Sequence, residues 1–398
     1  MTRTITRALV LAVPFALAAA AAGVSARDQQ APPAKGAVIT VKNPLAIARP
    51  AETIEMPVAD LQRVLTFDDV RKVHVRDDAS GKDLLTQAVD LNDDGTFEQV
   101  IFQADLAASA TRTFTLSVAD RHIPSRDEFK AYGRFVRERR DDYAWENDVV
   151  AHRMYGAALE TWAQEPLTSS AVDVWVKRTH RLIINDWYMI DDYHRDSGEG
   201  ADLYSSGSSR GCGGNGIFQD GKLYPSVNFR DTRSLANGPI RVMFELTYDG
   251  WTAAGQRVAE VKRVTLDAGH HLNRFESFYR VPSPRPLQQA AGIKNNAGSQ
   301  VSERRDAGVL RTWEAFKGED GNLGCGIIVD PRDLVDMPRV DPNYLVVTRV
   351  PGGTPAVYWA GTAWDKAGEI TSVAAWDKYL DEWSARLRTP VTTQIASK

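Results

Sequence analysis

Two stretches of the chain concentrate side chains that can move protons. The first runs Asp141-Asp142-Tyr143-Ala144-Trp145-Glu146-Asn147-Asp148-Val149-Val150-Ala151-His152-Arg153-Met154-Tyr155. The second, Asn185-Asp186-Trp187-Tyr188-Met189-Ile190-Asp191-Asp192-Tyr193-His194, continues through Gly198, Gly200, Asp202, Tyr204 and Arg210. An imidazole beside a carboxylate or phenol is suited to general-base work near neutral pH, because the neighbour orients and tunes the ring. His152 and His194 are therefore the candidate bases, with Tyr155 and Tyr193 as candidate acids. Trp145, Glu146, Asn147, Arg153, Trp187, Asp202, Tyr204 and Arg210 are the candidate substrate contacts, with Arg153 and Asn147 placed to neutralise a substrate anion. Paired carboxylates drawn from Glu146, Asp148, Asp192 and Asp202 offer a different acid–base arrangement. The bland explanation of both blocks is an ion-paired strand and a structural loop. Neither block holds a nucleophile elbow, a phosphate-binding loop or a zincin motif.

These groups need elements to hold them. A strand over residues 150–155 sends His152 and Met154 to one face and Arg153 and Tyr155 to the other. The second block reads as an aromatic strand followed by a long glycine-rich loop reaching Gly216. Upstream, β-branched or alternating runs at 38–41, 53–58, 72–76, 85–90, 99–104 and 113–118 predict a small β-sandwich over residues 37–122. Phe129, Tyr132 and Val136 are spaced for a short helix within 127–143. Strands are then expected at 171–176, 240–246, 257–261, 274–280, 326–329, 344–347 and 356–359. Val373, Trp376, Leu380, Trp383 and Leu387 repeat at helical steps behind Thr371 and Ser372 as caps, which predicts one C-terminal helix. The expected fold is all-β and mainly antiparallel: the small sandwich, then a broad double sheet over 123–398 ending in a short helix.

Residues 1–26 combine Arg3 and Arg7, an apolar run and the small residues Val24-Ser25-Ala26, the pattern of a cleaved export signal. Residues 27–36 read as a flexible lead-in. A periplasmic or secreted protein without a membrane span is expected. The formal charge of −4 and the lack of a basic tract argue against nucleic acid as a partner. Cys212 and Cys325 are the two cysteines, and an oxidising compartment would allow them to pair. Without a histidine at ligand spacing near either, zinc is not indicated. Asp90-Leu91-Asn92-Asp93-Asp94-Gly95 begins like a calcium loop, but the acid expected at the twelfth position is Ile101, so a hairpin turn is preferred. No cofactor is expected, calcium being admissible but not indicated. The tryptophans number ten, enough to raise stacking against sugar rings as a ligand class, although most must serve the core.

Four segments carry a resemblance: Trp145-Glu146-Asn147-Asp148 with Arg153-Met154-Tyr155-Gly156; Asp192-Tyr193-His194 with Asp202-Leu203-Tyr204; Asn237-Gly238-Pro239-Ile240-Arg241; and Tyr358-Trp359-Ala360-Gly361 with Trp364. Together they resemble domain-of-unknown-function family 4861 across nearly the whole chain. The resemblance implies a galactose-mutarotase-like β-supersandwich over 123–398. It also implies an association with loci for polysaccharide use, often of uronate-containing glycans. The expected activity is cleavage of such an oligo- or polysaccharide, by β-elimination or by glycoside hydrolysis. The alternatives are a non-catalytic carbohydrate-binding protein and a sugar mutarotase or epimerase. On the elimination reading, the bases, acids and Arg153 named above must meet in one cleft.

Overall fold

The computed structural model describes residues 36–398 except 165, 169, 191, 283–285 and 351; the expected export segment lies outside the described residues. All six N-terminal strands form where the alternation places them, and they sort into two sheets. One runs Thr392–Ser397, Ala37–Lys42, Thr111–Val118, Val73–Asp77 and Asp83–Leu84; the other runs Arg49–Pro57, Gln99–Leu106 and Thr86–Val89. The outermost strand of the first sheet is the chain's last, pairing antiparallel with Ala37–Lys42. Ile39, Val41, Ile54, Met56, Phe102, Phe114 and Leu116 close the core between these sheets.

The remainder is built on an eight-stranded antiparallel sheet. It runs Asp231–Asn237, Arg241–Ala253, Gln256–Asp267, Leu272–Arg280, Ala356–Trp364, Asn322–Ile328, Val309–Ala315 and Gln300–Arg304. Its inner face supplies Val242, Phe244, Phe275, Ile327 and Tyr358 to the largest core. Two smaller sheets meet it there. One is five-stranded: Gly200–Ala201, Asp173–Lys177, Ala151–Met154, Asp142–Asn147 and Ala131–Val136. The other is centred on Cys212–Gln219, Gln288–Lys294 and Asn343–Arg349. The fold is thus mainly antiparallel β with several sheets. On the opposite face lies the helix Val373–Arg388, whose Trp376 and Leu380 are buried and whose Ser372 Oγ accepts from Ala375 N at 3.2 Å.

Cys212 and Cys325 form a disulfide with Cα atoms 5.8 Å apart. It ties the Cys212–Gln219 strand to the eight-stranded sheet and closes a sequence separation of 113 residues. Constraint of a loop that long is worth about 4–5 kcal/mol in the chain-entropy account.

Three local expectations need correction. Residues 127–143 hold no α-helix: Arg126–Glu128 and Arg137–Arg139 are single 3-10 turns flanking the strand Ala131–Val136. Burial there follows the strand period at Ala131 and Gly133, so packing on the neighbouring sheet overrides the spacing of the aromatics. The aromatic segment Ile184–Ile190 is a helix, not a strand. Finally, Cys212–Gln219 is a strand within what reads as a glycine loop. A Cβ at Gly214 would sit 2.6 Å from the carbonyl oxygens of Arg210 and Ser170, so glycine there permits close backbone packing.

Candidate active site

The five-stranded sheet decides which candidate side chains can meet. His152 stands opposite Trp145 and Val174, and all three point toward the eight-stranded sheet. Its ring lies 5.4 Å from the Trp145 ring, and burial pushes its pKa down to about 3. Trp145 is buried as well, donating from Nε1 to Asn273 Oδ1 at 2.7 Å. Neither can touch a substrate.

Arg153 points the other way, and it too is buried. Its Nε meets Asp173 at 2.7 Å, its Nη2 meets Asp202 at 3.1 Å, and its Nη1 lies 3.8 Å from Asp142. Burial works against this guanidinium's charge, but the carboxylates of Asp202 and Asp173 hold its pKa well above the usual value. Burial raises Asp142 to about 7 despite Arg153 and Arg139 nearby. Arg153 therefore neutralises protein carboxylates rather than a substrate's. Asn147 is also committed to the fold: its Nδ2 donates to the carbonyls of Asp267 and His270, and its Oδ1 accepts from Val149 N and Val150 N.

Glu146 has a positioning role. Its buried carboxylate takes Lys177 Nζ at 2.9 Å and the backbone N–H groups of Ile183 and Ile184 at 2.7 and 2.8 Å. That fixes the start of the helix Ile184–Ile190 over the outer face of the sheet, an N-terminus favouring negative charge. Beneath the helix, Trp187 and Tyr193 pack on Trp175 with ring separations of 5.5 and 5.0 Å. Tyr155, buried and donating or accepting at Ser206 Oγ at 2.7 Å, has its phenol pKa raised by that burial. Arg210 is buried beside Ser170 Oγ at 2.9 Å, and burial pushes it down to about 10.

His194 is the exception. Asp202 N donates to Tyr193 O at 2.7 Å, closing the turn, and Gly200 at φ +122 lets the chain pass Val176, where a Cβ would lie 2.1 Å from its carbonyl oxygen. The His194 side chain is left 64% exposed, with Nδ1 at 3.2 Å from the Asp202 carbonyl and 3.6 Å from its carboxylate. With the proton on Nδ1, where it donates to that carbonyl, Nε2 carries the free lone pair.

His194 lines a cavity of about 530 Å³ with Asp202, Tyr204, Lys294, Asn296, Glu314, Phe316, Lys317 and Asp320. Glu314 is 9% exposed; its Oε2 accepts from Asn296 Nδ2 at 2.6 Å and Ser299 Oγ at 3.1 Å, and burial raises its pKa. Lys294 Nζ donates to Ser205 O and stands 6.0 Å from the Tyr204 ring. The Tyr204 hydroxyl is buried, with no hydrogen-bond partner among the described residues. Here a solvent-facing imidazole, two ammonium groups and a carboxyl whose pKa burial raises share one hollow.

Comparison with known proteins places the chain. A model of the domain of unknown function DUF4861 matches residues 41–393. The chain belongs to the DUF4861 family. A relative of this DUF4861 chain, Uncharacterized protein P7 of Formosa agariphila, is 34% identical over 373 residues, covering 90% of this chain and 93% of the relative. Two solved structures from Enterococcus faecalis also align: an alpha-mannosidase of strain V583 and a protein in glycosyl hydrolase family 38. Each is 10% identical over 91% of this chain, with TM-scores of 0.48 and 0.47. The chain spans about half of their length, 46% and 47%.

The DUF4861 chain thus brings His194, Asp202 and Tyr204 into one cavity and leaves His152 outside it. Tyr193 and Trp187 line a separate hollow of about 410 Å³ with Arg181, Asp192 and Arg195. Lys294, Asn296, Glu314, Lys317 and Asp320 escape sequence reasoning. They sit at the ends of the strands Gln288–Lys294 and Val309–Ala315 and in the turns beyond. The signal available was polar residues clustered at glycine-bounded strand ends, as in Lys317-Gly318-Glu319-Asp320-Gly321. Among the described residues, Asp90, Asp94 and Glu98 are the acids grouped closely enough to hold a metal ion, with oxygens within 4.8 Å of one another, remote in sequence from the cavity. No helix among the described residues is long and apolar enough to cross a membrane.

Proposed function

We propose that the protein is an exported carbohydrate-active enzyme that cleaves uronic-acid-containing oligo- or polysaccharide by β-elimination in the His194 cavity. The observation that carries this reading is that His194, Lys294, Lys317 and Glu314 line one cavity. The proton beside a uronate carboxylate is weakly acidic until that negative charge is cancelled, and Lys294 and Lys317 supply the positive charge. His194 Nε2 takes this proton. The electron pair left behind forms the new carbon–carbon double bond as the glycosidic carbon–oxygen bond breaks. Glu314, whose pKa burial raises, delivers a proton to the departing oxygen. The Cys212–Cys325 disulfide supports the exported location, since such bonds persist in oxidising compartments.

Glu314 and Asp320 on the same cavity keep glycoside hydrolysis as a second reading, because that reaction needs two carboxyl groups flanking the bond. Incubation with pectic, alginate and glycosaminoglycan oligosaccharides, followed by mass spectrometry, tests both. Elimination gives fragments with no added water and a new ultraviolet absorbance. Fragments that gain one water per cut would replace it with hydrolysis, and uncut but bound sugar would leave a binding protein.

A further inference from the structure

A third hollow, of about 510 Å³, opens where the strand Arg49–Pro57, the eight-stranded sheet and the C-terminal helix converge. Its walls differ in kind from those of the His194 cavity. Trp359 comes from the sheet and Trp383 from the helix, both only partly buried, so indole surface remains available to a ligand. Four arginines line the same space, and three of them are already matched. Arg49 pairs with Glu52 at 2.9 Å, Arg241 with Asp267 and Glu55 at 2.6 and 2.7 Å, and Arg274 with Glu276.

Arg386 is different. It is 8% exposed, yet it makes no ion pair among the described residues. Its contacts are a bond from Nη2 to the Ala48 carbonyl at 3.1 Å and a position 5.4 Å from the Trp383 ring centroid. Its Nε and the Trp383 Nε1 are both buried donors with no partner among the described residues. A buried guanidinium without a direct ion pair is costly even with Glu52 and Glu382 acting on it from a distance, and unsatisfied buried donors add to that cost. The natural complement is an oxyanion: a planar carboxylate fits the guanidinium fork with charge-assisted bonds. The indoles beside it suit the apolar face of a sugar ring.

We propose that this hollow is a second saccharide-binding site, centred on Arg386 and Trp383, that takes a carboxylate-bearing sugar unit independently of the His194 cavity. A site of this kind would hold an acidic polysaccharide while cleavage proceeds elsewhere, but its existence does not rest on that cleavage.

The test follows the indole N–H resonance of Trp383, assigned by its loss in Trp383→Phe, during titration of the full-length mature protein with sodium galacturonate. The resonance should move with galacturonate and stay put with galactose. Arg386→Gln should raise the titration midpoint at least about tenfold, the scale of one lost charge-assisted bond, with Arg386→Lys intermediate. His194→Ala should leave the titration unchanged, so a failed catalytic assignment does not touch this result. Should Arg386→Gln not fold, Trp383→Leu supplies the second variant, read by calorimetry with the same two sugars, and it too should weaken galacturonate binding. An unmoved Trp383 resonance, an equal response to galactose, or an unchanged midpoint in Arg386→Gln would each overturn the proposal.

Discussion

The strand Ala151–Met154 sends His152 to one face of its sheet and Arg153 to the other, and the two faces settle a buried ionisable group by opposite means. Toward the core, His152 is held neutral, because no acid stands close and burial penalises the cation. On the outer face Arg153 stays charged, because Asp173 and Asp202 lie within 3.1 Å. Neither group is free for a substrate. The difference teaches that richness in ionisable residues does not mark a site; release from packing does. His194 has that release, since its backbone lies in the loop between the helix Ile184–Ile190 and the strand Gly200–Ala201 and its ring remains exposed.

The sharpest way to break this comparison is to remove the outer face's cation. Arg153→Met removes the guanidinium that pairs the buried carboxylates of Asp173 and Asp202, and should lose about 3–5 kcal/mol in urea unfolding at pH 7. A loss below about 1 kcal/mol would mean that the carboxylates are solvated after all.

Asp142→Asn probes the same cluster from the acidic side. Asp142 has its folded pKa raised to about 7 from 3.8, so the folded state holds its proton more tightly than the unfolded chain does. Wild-type stability is therefore eroded as pH climbs from about 4 to 7. The amide, which does not ionise, should be more stable than wild type in that range. The gain should be nil below pH 4 and reach roughly 2–4 kcal/mol near pH 7, growing by about 1.4 kcal/mol for each pH step of one between those limits. A flat difference across pH would contradict the raised pKa.

His152 has the reverse dependence. Its folded pKa is lowered from 6.5 to about 3, so the unfolded chain takes up the proton first and stability falls as pH drops through that interval. His152→Leu should flatten the acid limb by up to about 1.4 kcal/mol per pH unit. An unchanged slope would show that the ring is hydrated.

Much of this architecture was legible in the residues. The six N-terminal strands, the face shared by His152 and Met154, and the C-terminal helix with Ser372 as its cap all follow from local periodicity. What escaped depended on distant partners. Ile184–Ile190 is a helix partly because Glu146, far back in the chain, takes up the N–H groups at its start. The strand Cys212–Gln219 hides behind glycines needed for close packing, which locally signal a loop. The site divides likewise. His194, Asp202 and Tyr204 stand out by type and spacing, but Lys294 and Glu314 join them only because two sheets bring separate strand ends together. Arg153 and Asn147 looked like substrate contacts because sequence displays charge but not the buried partners that consume it.

The smallest expected effect on stability belongs to the residue with the largest expected effect on function. His194→Ala, at an exposed position, should change unfolding free energy by less than about 0.5 kcal/mol. The central claim is that the outer turn, not the core-facing strand, carries the chemistry. Turnover of His194→Ala and His152→Leu, each shown to be folded, on the uronate oligosaccharide cut by the wild type tests it most directly. His194→Ala should lose at least about 100-fold in kcat, the usual contribution of a positioned base, while His152→Leu retains turnover near wild type. Full turnover in His194→Ala alongside its loss in folded His152→Leu would contradict the account.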